Sequence, residues 1–178
     1  TVQKRVEDRT LDVGFIEGDS YRGTLVTDVC CEDELQVVCA PSHPLARYKV
    51  LAVSALTEHQ YISREVGSGT REVIDRHLEK AGLASDSLQI VMEASSPEAL
   101  KRLVATGLGF AIMSRVTAEK EVRLGDLVQI PLVPPLVRHL AVVYTRERIH
   151  SQAVNEFVRF AKAKLAENAL TRRQLTTA

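Results

Sequence analysis

The chain has 178 residues, 45% of them hydrophobic and 26% charged, with 23 Lys+Arg matched by 23 Asp+Glu. That is enough for one globular domain, or two small lobes, with a sizeable core. A formal net charge of zero leaves no basic footprint for nucleic acid, and no run of about 18 apolar residues suggests a membrane span.

In chain order, Val2 and Val6 lie four apart among charges, as at the end of an amphipathic helix. No signal peptide is expected from so charged an opening. Leu11–Glu17 reads as a short apolar strand stopped by Gly18, with a polar turn over Asp19–Gly23. Leu25–Cys31 and Leu35–Ala40 read as two further strands broken by Glu32-Asp33-Glu34, and Pro41-Ser42-His43-Pro44 marks a change of lobe. Cys30, Cys31 and Cys39 are odd in number and lack CxxC spacing, so neither a disulfide framework nor a zinc site is indicated. They read as buried structural thiols, with a vicinal redox pair at Cys30 and Cys31 as the weaker alternative. The five histidines show no ligand spacing, and neither a metal nor a cofactor is expected.

Val53–His59 reads as a short helix leading to the stretch that carries the chemistry, Tyr61-Ile62-Ser63-Arg64-Glu65-Val66-Gly67-Ser68-Gly69-Thr70-Arg71. It is an apolar strand, then a glycine-rich turn, then a helix whose buried face is Val73, Ile74, His77, Leu78 and Ala81. The first N–H groups of a helix lack internal partners, and its dipole places about half a positive charge there. Two glycines permit close approach of a ligand, Ser68 and Thr70 offer hydroxyls, and Arg64 and Arg71 add positive charge. Two readings stand: an anion cradle, or ordinary N-capping in which a hydroxyl satisfies its own helix.

Beyond it, Leu88–Met92 is a strand, and a helix follows from either Ser95 with Glu98 (capping-box spacing) or Ser96 before Pro97. Gly109–Ser114 reads as a buried strand followed by a polar helical turn to about Glu121. Leu127–Leu132 is a strand stopped by prolines, and Leu140–Tyr144 a strong strand. Ser151 opens a last helix, and beyond about Asn168 the polar tail is expected to fray. Alternating strands and helices predict an α/β fold with mostly parallel sheets, whose ligands bind beyond the carboxyl ends of strands. No strong nucleophile–base pair accompanies these strand ends; Gly67-Ser68-Gly69 lacks the Gly-x-Ser-x-Gly elbow, so an enzyme is not expected.

Four motifs in order, Leu11–Gly18, Glu34–Leu45, Ile62–Arg71 and Gly107–Ser114, closely resemble the effector-binding domain of LysR-type transcriptional regulators. The resemblance covers nearly the whole chain. It implies a two-lobed type 2 periplasmic-binding-protein-like fold, each lobe a mostly parallel sheet flanked by helices. Lobe I would comprise residues 1–41 and 140–168, lobe II residues 42–139, with 169–178 a flexible tail. The resemblance further implies that a winged helix-turn-helix DNA-binding domain and the first strand–helix–strand of lobe I are absent from this chain, which would make it N-terminally truncated. Carried over by position, Ser63, Arg64, Ser68, Gly69 and Thr70 would bind a small, anionic effector between the lobes. Ser95, Ser96, Ser114 and Glu17 are further candidates. The implied partners are the effector, a homo-oligomer (dimer or tetramer), and promoter DNA and RNA polymerase through the full-length protein, in the cytoplasm and without a membrane. A transporter's solute-binding protein on the same fold is the alternative.

Overall fold

The computed structural model describes residues 1–18, 23–84 and 86–175, with side chains to 165. The elements in order are α1 (Val2–Glu7), β1 (Val13–Glu17), β2 (Leu25–Cys39), β3 (Leu51–Ala52), β4 (Gln60–Arg64), α2 (Gly69–Lys80), β5 (Gln89–Ala94) and α3 (Pro97–Ala105). Then come β6 (Ala111–Ser114), α4 (Arg115–Leu124), β7 (Val128–Ile130), β8 (Leu132–Val133), β9 (Leu136–Thr145) and α5 (Gln152–Leu175). Most of the polar turn expected at Asp19–Gly23 lies outside the described residues.

Packing divides the chain into Thr1–Glu32 with Arg138–Ala178, and Asp33–Val137. The first crossing therefore falls inside β2 rather than at the prolines. The break expected at Glu32-Asp33-Glu34 is absent, because each acidic side chain has a polar neighbour that lets the strand continue. Asp33 accepts from Ser114 at 2.6 Å, Glu34 accepts from Gln36 at 2.9 Å, and His139 Nε2 lies 3.7 Å from Glu32.

In the second unit the order across the sheet is β5, β4, β6, β2, β7. β4 and β5 are parallel, β6 joins β4 by a parallel bridge at Phe110, and β2 pairs antiparallel with β6 and β7. β3 and β8 form a separate parallel pair. Parallel pairing thus matches expectation around β4, while β2, which crosses between units, brings antiparallel pairs. Strand side chains alternate between two faces, and here both faces are buried. Leu35, Val37, Tyr61, Phe110 and Ile112 meet Ile74 and Leu78 of α2. Val38, Ile62, Ala111 and Met113 meet Leu100 and Val104 of α3 and Ala118 of α4.

The first unit repeats this logic. β9 lies between β1 and β2 and is antiparallel to β1. Ala141 and Val143 pack under Val6 of α1, and Val142 and Tyr144 pack under Val154, Val158 and Ala161 of α5. α5 runs to Leu175, into the stretch 169–178 expected as a flexible tail, whose last three residues lie outside the described residues. No glycine or proline follows Ser151, so nothing in the sequence stops the helix. Cys39 is buried, but Cys30 and Cys31 are only half-buried on β2, unlike the expected buried thiols. Burial pushes the Cys39 thiol up to about 11.

Two substitutions test this packing. A Cβ at Gly109 would lie 2.4 Å from the Gln60 carbonyl oxygen, where β6 approaches β4. Gly109→Ala is expected to cost at least about 2 kcal/mol in a urea melt. The Asp28 carboxylate accepts from Tyr144 Oη at 2.7 Å and Lys162 Nζ at 3.0 Å, tying β2, β9 and α5 together. These bonds, the tyrosine's foremost, hold its pKa below the ordinary 3.8. Its contribution is therefore present above pH 3.8 and lost as pH falls through the lower folded value. Asp28→Asn should cost on the order of 1 kcal/mol at pH 7, with the gap closing in strong acid.

Candidate functional site

Three helices begin where three neighbouring strands of the second unit end. β4 ends at Arg64, β5 at Ala94 and β6 at Ser114, and α2, α3 and α4 start at Gly69, Pro97 and Arg115. Register places Ser63 beside Glu93 and Arg64 beside Ala94. Ile62 N donates to Phe110 O at 2.8 Å, and Phe110 N to Gln60 O at 3.0 Å, which holds β6 against β4. Helix dipoles and unpaired N–H groups thus gather along one edge of the sheet.

At two of these starts the serine hydroxyl is already engaged. Ser96 is the N-cap of α3 and accepts from Ala99 N at 3.2 Å, which resolves the choice between Ser95 and Ser96; Ser95 is exposed. Ser114, at the N-cap of α4, donates its buried hydroxyl to Asp33 instead of accepting from its own helix. Both serines belong to these starts, but their hydroxyls are occupied.

α2 differs. Its N-cap Ser68 is buried, yet its side chain makes no capping bond. Gly69 N has no acceptor among the described residues. Ser63 is 1% exposed, and its Oγ lacks a hydrogen bond of ordinary geometry. It sits on the same face of β4 as the Tyr61 phenol, which burial raises to about 12, with Ser63, Asp75 and Arg71 as its polar neighbours. An unsatisfied buried hydroxyl costs about 1–3 kcal/mol; of the two hydroxyls here, Ser63 Oγ is the one buried without a bond of ordinary geometry. Gly67 makes the turn possible. Its φ of +86° suits glycine, and the space where a Cβ would stand is open. Thr70 is buried at the second helical position and already has a polar contact.

The arginines do not supply the open positive charge expected of them. Arg64 donates from Nε and Nη2 to both oxygens of Glu65, at 2.8 and 3.0 Å, which lowers the Glu65 pKa. Arg71 donates to Glu93 and, at 3.0 Å, to the Arg64 carbonyl, with Asp75 at 3.9 Å. Burial raises the Asp75 pKa against the pull of Arg71. Glu65 and Asp75 could have been read as partners from their spacing to Arg64 and Arg71, the second being an i,i+4 pair. Glu93 could not, because only the β4–β5 register brings it there.

Glu17 belongs to the first unit, where Arg138 of β9 donates to its carboxylate. That unit also holds a cavity of about 360 Å³ lined mainly by apolar groups, among them Phe15, Leu140, Phe157 and Phe160. Phe15 and Phe157 meet edge to face with ring centroids 6.0 Å apart. Its charged residues, Glu17 and Lys164, already have partners, so it offers no open polar group to orient a small polar ligand. The α2 start does. Among the described residues no group of three His, Cys, Asp or Glu is placed to hold a metal, and no helix is long and apolar enough to cross a membrane.

Comparison with known proteins agrees with this architecture. The regulator described as "Uncharacterized HTH-type transcriptional regulator YeiE" of Escherichia coli (strain K12) is 37% identical over 163 residues, covering 88% of this chain and 53% of that protein. The chain thus spans about half the length of the curated relatives it matches. The Synechocystis PCC6803 CcmR regulatory domain, solved in complex with 2-PG, superposes with a TM-score of 0.80 at 22% identity, over 92% of this chain and 78% of that one. The effector-binding domain of QuiR, solved with shikimate, gives 0.79 at 19% identity, over 93% and 77%. At these identities the solved structures establish the fold, the type 2 periplasmic-binding-protein-like α/β fold of LysR regulatory domains. The LysR substrate binding domain model matches residues 1–166, and the chain belongs to that family as an effector-binding domain of the LysR type rather than an enzyme.

Proposed function

We propose that this chain senses a small anionic metabolite at the start of α2, held by Ser63, Ser68, Gly69 and Thr70, with Arg64 shaping the turn through Glu65. One observation carries the reading. Of three adjacent helix starts, Ser96 caps α3 and the Ser114 hydroxyl of α4 is given to Asp33, whereas Ser68 of α2 makes no capping bond and the strand before it carries the buried Ser63 hydroxyl. A helix start of this kind receives carboxylate or phosphate oxygens. Shikimate, present in the QuiR structure, carries such a carboxylate. Ser95, Ser96, Ser114 and Glu17 are secondary candidates, since three of the four are already engaged.

In the full-length protein, ligand binding would shift the population of two states and thereby alter the hold of a helix-turn-helix domain on promoter DNA. A ligand does this only through its differential affinity for the two states. We place the whole protein in the cytoplasm as a homo-oligomer that acts on transcription by RNA polymerase. The family match favours this regulator over a transporter's solute-binding protein.

A thermal-shift screen of small carboxylates and phosphorylated metabolites tests the site. A ligand at a hundred times its Kd should stabilise the fold by about 2.7 kcal/mol. Ser68→Ala should weaken that ligand about five- to ten-fold, the worth of one hydrogen bond. It should leave the unligated protein unchanged within about 0.5 kcal/mol, whereas replacing a working N-cap costs about 1 kcal/mol. Ser63→Ala should change the unligated protein little, because its hydroxyl loses only a contact with the Tyr61 phenol that falls short of ordinary hydrogen-bond geometry. Equal affinity in wild type and Ser68→Ala would sink the assignment.

A further inference from the structure

We propose that the β3–β8 pair is an acid-released strap of the second unit, fastened by His43 ahead of its first strand and by His77 behind its second only while both imidazoles are neutral. Leu51 lies beside Leu132 and Ala52 beside Val133, and Leu51 N donates to the Pro131 carbonyl at 2.9 Å. A two-stranded pair this short is not stable on its own. Leu51 and Leu132 are buried in the core with Leu45 and Leu136, while Val50 and Val133 are half exposed. The chain enters the pair through a 3-10 turn, Pro44–Arg47, whose N-cap His43 accepts from Leu45 N at Nδ1, 3.2 Å away. It leaves through Pro134, whose carbonyl accepts from the imidazole of His77 on α2.

Neither imidazole has a place for a second proton. With Nδ1 accepting, the neutral ring of His43 carries its proton on Nε2, and a proton added at Nδ1 would face the Leu45 N–H and break the cap. The ring of His77 is the opposite tautomer. Its Nε2 is buried without a partner, so Nδ1 makes the Pro134 bond, and a proton added at Nε2 would be a buried donor with no acceptor. The charges that face the rings do not help. His59 stands at the end of the 3-10 turn Val53–Glu58, its ring centroid 5.4 Å from that of His43, and Lys80 of α2 acts on His77. Among the described residues no carboxylate offsets a charge on either ring. Burial first, then these neighbours, hold both imidazoles below the ordinary 6.5, with the Pro134 bond opposing in part at His77. The hold they give is therefore complete above pH 6.5 and lost as pH falls through the lower folded values.

The test is NMR of the ¹⁵N-labelled chain between pH 7.5 and pH 5.0. At pH 7.5 the ring nitrogens should show His43 protonated on Nε2 and His77 on Nδ1, and both rings should titrate below 6.5. Hydrogen exchange, corrected for its intrinsic pH dependence, should find the Leu45 and Leu51 amides about five-fold less protected at pH 5.0, the worth of one capping bond. The β9 amides of the first unit should keep their protection. His43→Asn/His77→Asn retains an acceptor for Leu45 N and a donor for Pro134 but does not titrate, so its protection should be the same at both pH values. Either ring titrating at or above 6.5, or carrying its neutral proton on the other nitrogen, would overturn the proposal even if the double variant does not fold. Equal protection of Leu45 and Leu51 at both pH values in the unsubstituted chain would overturn it too, as would β9 loosening in step with β3. A pH response that persists in the double variant would assign the effect to other groups and sink the strap.

Discussion

Burial of both faces of β4 is the constraint on which the second unit depends. Tyr61 enters one apolar cluster and Ile62 the other, and neither is more than 3% exposed. A strand buried on both sides must be covered by helices on both sides, so α2 returns over one face while α3 and α4 cover the other. Parallel strands need a crossover to do this, and each crossover starts beyond a strand's carboxyl end. The helix starts are therefore gathered at one edge by the packing of the core.

At that edge, a difference in capping separates a structural start from an open one. Ser96 and Ser114 stand at the beginnings of their helices as Ser68 does, yet the first caps its helix and the second donates to Asp33. Ser68 has a hydroxyl of the same chemistry and no such bond. The arginines follow the opposite course. They lie nearest the turn, and they are consumed by Glu65, Glu93 and Asp75, so the turn is held rigidly but is not made positive. Pairs of this kind contribute little stability when exposed; here they join the backbone and side chains of the stretch from Arg64 to Arg71.

Much of the molecule was legible in its residues. The apolar spacing from Val73 to Leu78 located α2, the glycines located the turn, and four motifs in order carried the family resemblance that the domain model bears out. The errors are equally physical. Three consecutive acids look like a strand break, because the partners that satisfy Asp33 and Glu32 lie 81 and 107 positions away, at Ser114 and His139.

The sequence alone determined the local elements and where a helix would start after a glycine turn, since these follow from periodicity, capping chemistry and backbone freedom within a few residues. Tertiary structure decided which hydroxyls stay open and which charges are spent. Whether Ser63 has a partner, and whether Arg71 is free, depends on which strands become neighbours and in what register. Hydrogen bonds act over about 3 Å, and it is the fold that brings Glu93 within that reach of a residue 22 positions away.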